Sequence, residues 1–311
     1  MGNRLNGRNA VITGGGRGIG RAVALAMAEE GANIIVCDLG VATDGTRPDK
    51  GPASAVVEEC RKLGVKAVPF YGDVADFKAA ENMVRTCVEN FGRIDILCNF
   101  AASGRFGPIW DMSEEEWDRT LAVALKGTFH LCRHACPLMR QQRYGRILNV
   151  TSHERLGSWG AVHGCASKGA IASLTYAIAW EMGMYGVTCN ALSPAARTRW
   201  MDDPDVLANF RKRVEAGFWS QEMFEQSKRI APPEMMGVIA AFLCSDAASH
   251  INGCIISAGG HAIASWSPEQ EKVVFARDWE KYGRWSWEEI ESCMPALLRG
   301  YVNPSPPRDN V

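Results

Sequence analysis

A doubly wound, parallel seven-stranded α/β sheet in a single domain is the fold this sequence predicts, and three observations predict it. Seven short runs rich in β-branched residues alternate with longer amphipathic stretches, the pattern of repeated βαβ units. The first run opens into a glycine-rich turn followed by a helical stretch. The 311 residues are 47% hydrophobic and 22% charged, enough apolar mass for one large core with a tail behind it.

The expected strands are Asn9–Thr13, Asn33–Asp38, Lys66–Tyr71, Ile94–Asn99, Arg146–Thr151, Val187–Leu192 and Cys254–Ser257. Each is a short apolar run, as a strand covered on both faces requires. Between them, helical patterns run over Ile19–Glu30, Ala53–Leu63, Phe77–Phe91, Glu114–Gln141, Lys168–Tyr185 and Pro233–Ser245.

Three segments break this rhythm. Gly40–Pro52 is a Gly/Pro/Asp-rich loop, longer than most connections of its kind. Thr198–Ile230 mixes aromatics with charges where a lid over a substrate is expected, and its Phe210, Phe218, Trp219 and Phe224 suggest an apolar or ring-bearing ligand. The core domain is therefore placed at residues 1–261 and an extension at 262–311, where Trp266, Phe275, Trp279, Tyr282, Trp285 and Trp287 crowd together. So aromatic a tail is expected to pack on its own core or on a neighbouring subunit.

The formal charge of −1 favours no nucleic acid or anionic membrane surface, so a small molecule is the expected partner. No apolar run reaches the roughly 18 residues of a membrane span, and Met1–Leu5 leads into polar sequence, so a cytoplasmic location is expected. The eleven cysteines lack zinc-like spacing and read as reduced, mostly buried hydrophobes, Cys132 and Cys136 included, so no metal is expected.

The nucleotide site rests on Gly14-Gly15-Gly16-Arg17-Gly18-Ile19-Gly20. Glycines let backbone approach a pyrophosphate, and the helix N-terminus offers free N–H groups and a favourable dipole. Eighteen residues after Gly20, Asp38 ends the second strand, placed to accept both ribose hydroxyls of an adenosine. A 2′-phosphate would meet a like charge there, only partly offset by Arg17, so NAD is expected over NADP.

Thr13-Gly14-x-x-x-Gly18-Ile19-Gly20 resembles the cofactor motif of the short-chain dehydrogenase/reductase family, with its Rossmann fold. Asp73-Val74 matches the pair that holds adenine in that family, and Asn99-Phe100-Ala101-Ala102 stands where it usually reads Asn-Asn-Ala-Gly. Gly145–Ser152 resembles the strand carrying its catalytic serine, and Asn190–Thr198, with Pro194, its nicotinamide-side loop, in which Thr198 would reach the carboxamide. The likeness runs from about residue 5 to 260. Asp38-Leu39-Gly40 with its long loop, and Ala196–Arg199, look most like hydroxyacyl-CoA dehydrogenases of the multifunctional type, which would imply an acyl thioester or another bulky alcohol and ketone pair.

In that family a tyrosine passes the substrate proton, a lysine four residues on lowers its pKa, a serine orients the oxygen and an asparagine holds a water relay. Ser152 and Lys168 stand in register here, but Gly164 takes the tyrosine position and Ala124 the asparagine position. By resemblance Lys168 also binds the nicotinamide ribose, so cofactor binding should survive both substitutions. His153 is the leading substitute for the acid/base, since it follows Ser152 at a strand end where sites of open α/β folds gather. His163 could serve only if its helix begins after it. Cys165 reads as a small buried residue before it reads as a nucleophile, and Glu154 with Arg155 as a solvated pair before an imidazole orienter or an anion holder. Tyr144 lies at the opposite end of its strand.

The expected function is an NAD-dependent oxidoreductase acting on a hydroxyl or carbonyl group, with Ser152, Lys168 and either His153 or water handling the proton. Two alternatives stay open. One is a non-redox enzyme, a carbon–carbon lyase, hydratase or hydrolase with bound NAD, and the other a catalytically degenerate partner subunit. The resemblance also implies a homodimer or homotetramer built on the helices holding Ala124–Met139 and Lys168–Trp180.

Overall fold

The computed structural model describes residues 2–42, 46–267, 274–276, 279–282 and 284–299. Strands β1 (Asn9–Thr13), β2 (Asn33–Cys37), β3 (Ala67–Phe70), β4 (Ile96–Asn99), β5 (Gly145–Val150), β6 (Val187–Ala195), β7 (Ile255–Gly259) and β8 (Ile263–Trp266) form one sheet in the order 3-2-1-4-5-6-7-8. The first seven are parallel, and the order reverses between β1 and β4. Ligands of open α/β sheets bind at such a switch point, beyond the carboxyl ends of the strands.

The seven expected strands all form. An eighth is added where the tail was expected to begin: β8 returns antiparallel along β7, with Ile255 opposite Trp266, so residues 263–266 belong to the sheet. Four residues are too few to show alternation, and their pairing depends on the turn after Gly259, where Gly259 N–H donates to the Ala262 carbonyl at 3.0 Å. The Trp266 indole N–H then donates to Ser257 Oγ at 2.8 Å, fastening the hairpin. The chain divides after Trp266, and among the described residues the unit beyond it contains two helices, Trp279–Tyr282 and Trp287–Leu297. Of the six aromatic residues on which the extension was expected to pack, the side chains of Trp279 and Tyr282 lie outside the described residues.

Helices cover both faces because successive strand residues point to opposite sides. On one face Ile12, Ile34 and Val36 pack with Val23 and Met27 of α1 (Gly18–Glu29), Val57 of α2 (Gly51–Lys62) and a helix formed later in the chain. On the other, Val11, Ile35 and Leu97 pack with Met83 of α3 (Phe77–Phe91). The stretch expected as one helix over Glu114–Gln141 is two, α4 (Glu114–Leu121) and α5 (Gly127–Gln142), separated by a π turn at Ala122–Lys126. The Thr128 hydroxyl donates to the Ala124 carbonyl at 2.7 Å, within the widened turn. The next helix, α6 (Val162–Gly183), starts six residues before Lys168, earlier than its sequence pattern suggests. No Ser, Thr, Asp or Asn side chain caps it. Gly164 N–H instead donates to His163 Nδ1 at 2.6 Å, while His163 Nε2 meets the Arg105 carbonyl at 2.5 Å. Helices α7 (Pro204–Glu215) and α8 (Gln221–Ser227) form within the segment expected as a lid, and α9 (Glu234–Leu243) completes the first face through Met236.

A buried polar thread ties the sheet to α6. Asn99 Nδ2 donates to Asn149 Oδ1 at 2.9 Å, Asn149 Nδ2 donates to Thr175 Oγ1 at 3.0 Å, and Thr175 Oγ1 donates to the Ile171 carbonyl at 2.8 Å. Asn149→Ala strips Asn99 Nδ2 of its oxygen acceptor in a buried setting. It should lower stability by about 1–3 kcal/mol, read as a fall in the urea midpoint with an unchanged m-value.

Candidate active site

The turn between β1 and α1 comes so close to the next strand that only glycine fits. A Cβ at Gly14 would lie 2.8 Å from the Phe100 carbonyl oxygen, and one at Gly20 would collide with the Gly14 carbonyl. Gly14 and Gly18 also take positive φ, +65° and +52°. The result is an open helix N-terminus facing a cavity of about 300 Å³ lined by Gly14, Arg17, Gly18, Ile19 and Gly20.

Asp38 closes the far end of that cavity, its carboxylate held by two backbone donors, Gly16 N–H at 2.8 Å and Gly40 N–H at 2.6 Å. Each oxygen keeps a lone pair for another donor. Arg17 turns to the following loop, donating to the Gly40 and Val41 carbonyls at 3.1 and 3.0 Å. Asp73 and Val74 line the same cavity, with Asp73 accepting from Ala75 N–H at 2.9 Å and from Arg119 at 2.7 Å. Ala101, Pro194 and Thr198 complete the wall. Asn99 does not line it: its buried side chain donates from Nδ2 to Asn149 Oδ1, tying β4 to β5, while its Oδ1 has no hydrogen-bond partner. A glycine cradle, a fixed carboxylate and a helix N-terminus in one cleft fit a dinucleotide.

The other end of the cavity is built by β5 and α6. The Thr151 hydroxyl donates to the Lys168 carbonyl at 2.8 Å, and Lys168 Nζ donates back to the Val150 carbonyl at 3.1 Å. Ser152, next along, accepts the Glu154 N–H at 3.2 Å and so caps the short 3-10 turn His153–Leu156, while its own hydroxyl proton stays available. Glu154, Ser152 and Lys168 line one wall. Burial brings the Lys168 ammonium down to about 8, against the opposing pull of Glu154, and burial pushes the Glu154 carboxyl up, against Arg213, Lys168 and His163.

His153 does not join them. Its ring lies against Trp266, with centroids 5.1 Å apart and its Nε2 3.4 Å from Ser257 Oγ, in a separate apolar cavity beside the β7–β8 hairpin. The cause is the 3-10 turn, in which consecutive side chains diverge by about 120°, so His153 and Glu154 face different cavities. His163 lies inside α6 with both ring nitrogens engaged, and the Cys165 thiol is pushed up by burial and by Glu154. Glu154 and Arg155 are not a pair on the surface: Arg155 stacks on the Trp266 ring at 4.2 Å while Glu154 turns inward. In the lid, Phe210 and Phe224 are buried in a core that also takes Trp219, and Phe218 stacks on Trp159 at 6.1 Å, so these rings are largely spent on one another. Arg199 and Trp200 line the cavity instead.

Trp200 and the α7 residue Arg213, 4% exposed and facing Glu154, are site features that sequence pattern does not single out, and Glu154, expected in a solvated pair with Arg155, lines the cleft instead. The one available signal for Glu154 is a carboxylate two residues past the serine in a chain that has lost the tyrosine.

Residues 14–260 match the family described as Enoyl-(Acyl carrier protein) reductase. Hydroxyacyl-CoA dehydrogenase ChsB1 of Mycobacterium tuberculosis is 33% identical over 310 residues, spanning 96% of this chain and 89% of that protein. Among solved structures, a short chain dehydrogenase from Mycobacterium avium is 33% identical with a TM-score of 0.78, over 98% of this chain and 99% of that one. An NAD⁺-bound xylitol dehydrogenase is 27% identical with a TM-score of 0.73, over 82% of this chain and 99% of that one. Likeness in sequence and fold over nearly the whole chain makes this protein a member of the short-chain dehydrogenase/reductase family of oxidoreductases.

Proposed function

We propose that the protein is an NAD-linked dehydrogenase that interconverts a secondary hydroxyl and a ketone on an acyl thioester substrate. The observation that carries this reading is the single cleft with the glycine turn and Asp38 at one end and Ser152 with Lys168 at the other. A nicotinamide dinucleotide bound there supplies hydride acceptance or donation at the carbon bearing the oxygen.

The residues divide the remaining work. Gly14, Gly16, Gly18, Ile19 and Gly20 form the pyrophosphate turn, Asp73, Val74 and Ala101 flank the adenine side, and Pro194 and Thr198 the nicotinamide side. Asp38, fixed by the Gly16 and Gly40 N–H groups, accepts ribose hydroxyls with its free lone pairs. A 2′-phosphate at that place would face this carboxylate while Arg17 is engaged with two backbone carbonyls, which supports NAD over NADP. Lys168 holds the second ribose from the floor of the cleft, and Ser152 Oγ directs its proton at the substrate oxygen. The thioester class is supported by the hydroxyacyl-CoA dehydrogenase relative.

The assembly we propose is a homodimer or homotetramer through α5 and α6, which carry the exposed Phe129 and Trp180, the latter 89% exposed.

Calorimetry should show NAD binding at least about tenfold tighter than NADP, and Asp38→Ala should weaken NAD by about tenfold or more while narrowing that gap. A panel of 3-hydroxyacyl-CoA thioesters with NAD should raise absorbance at the NADH band, and no change with any chain length would refute the dehydrogenase reading. Sedimentation should find an oligomer that Trp180→Glu shifts toward monomer, since an interface would bury that charge unpaired; an unchanged profile would place the interface elsewhere.

A further inference from the structure

Glu154 approaches α6 at Gly164, where a built Cβ would make an ordinary van der Waals contact with Glu154 Oε2 at 3.4 Å. Gly164 lies four residues before Lys168 on α6, which puts both positions on one helix face. Glu154 reaches the same place from the 3-10 turn, one residue beyond His153 and two beyond Ser152, and it lines the cleft with Ser152 and Lys168.

We propose that Glu154 is the catalytic acid/base of this enzyme, the group that takes the hydroxyl proton in oxidation and returns it in reduction. This rests on the dehydrogenase reading above. In oxidation the substrate O–H bond breaks and its proton goes to a Glu154 carboxylate oxygen. The C–H bond breaks with its electron pair leaving as hydride to the nicotinamide, and the carbonyl forms. In reduction the carbonyl receives hydride at carbon and the Glu154 proton at oxygen. Ser152 Oγ directs the oxygen in both directions.

The charged and titratable groups facing Glu154 support this role. Lys168, His163 and Cys165 face it from α6, and Arg213 faces it from α7. Arg213 is 4% exposed, donates from Nε to Asn209 Oδ1 at 3.0 Å, and has no hydrogen-bond partner for Nη2. Its guanidinium and the Lys168 ammonium offset part of the cost of burying a carboxylate, while desolvation raises the carboxyl above its ordinary range. A carboxyl held between these influences can serve as donor and acceptor nearer neutral pH than an exposed one. Arg213, on α7, acts on the reaction only through Glu154 and is a positioning residue.

The test is Glu154→Gln in the full-length protein, with acetoacetyl-CoA and NADH as probes for reduction and 3-hydroxybutyryl-CoA with NAD for oxidation. The expected result is a fall in kcat of about 10²–10⁴-fold, with NADH affinity by fluorescence within about threefold of wild type. Wild-type oxidation should rise with pH through the Glu154 ionisation and wild-type reduction should fall through it, and both limbs should vanish in Glu154→Gln. In the cofactor-free protein, infrared difference spectra should show a protonated carboxyl in wild type, at a pH where exposed carboxylates are ionised, that is absent from Glu154→Gln. If Glu154→Gln does not fold, Glu154→Asp, which keeps the charge but retracts it by one methylene, should show an intermediate kcat with the pH limbs retained. Wild-type kcat and pH profile in Glu154→Gln would overturn the assignment while leaving the dehydrogenase reading standing. An inactive wild type with both probes and the wider thioester panel would instead overturn that reading, and this proposal with it.

Discussion

The reciprocal tie between β5 and α6 is the interaction on which the site depends. The Thr151 hydroxyl donates to the Lys168 carbonyl, and the Lys168 ammonium donates to the Val150 carbonyl. Two hydrogen bonds running in opposite directions fix both the height of the helix against the strand and the rotamer of the lysine. With that register set, Ser152 falls at the cavity wall, the 3-10 turn begins at His153, and the opening at Gly164 comes to face Glu154. The thread from Asn99 through Asn149 to Thr175 repeats the connection deeper in the core, so the helix is pinned at two levels.

The cofactor end obeys a different constraint, the close approach of backbone to backbone. Gly14 and Gly20 leave no room for a Cβ because β1, its turn and the chain after β4 meet at the switch point of the sheet. Asp38 then serves two purposes at once. Its hydrogen bonds to Gly16 and Gly40 hold the turn against the loop after β2, and the same bonds aim its remaining lone pairs into the cleft. The two ends are thus positioned by different contacts, the glycine turn by backbone approach and the Ser152–Lys168 end by the β5–α6 tie.

Glu154, buried at the cleft wall, also brings a charge that must be balanced. The balance comes from Lys168 below and Arg213 on the lid, the latter buried among Phe106, Phe210 and Trp219 with its guanidinium carbon 5.1 to 5.8 Å from their ring centres. The lid's aromatic residues therefore act first as a scaffold for one buried cation and as one another's core, and less as a surface for a ring-bearing ligand.

Strand runs, the glycine turn and the acid at the end of the second strand were legible in the sequence because each is a local pattern: periodicity, a steric requirement for glycine, and a fixed distance along one βα unit. Ser152 and Lys168 were legible in the same way, from their register with a family motif. The eighth strand was not, because four residues acquire strand character only by pairing with β7 across a turn. Nor was the separation of His153 from Glu154. Adjacent in sequence and both able to transfer a proton, they are separated by the rotation of a 3-10 turn and by the early start of α6, one packed on Trp266 and the other lining the cleft. Sequence alone determined the fold and the cradle, since local sterics and hydrophobic period specify them. Only tertiary structure decided that Glu154 lines the cleft beside Gly164 while His153 turns to Trp266, because that depends on contacts between segments that no local pattern encodes.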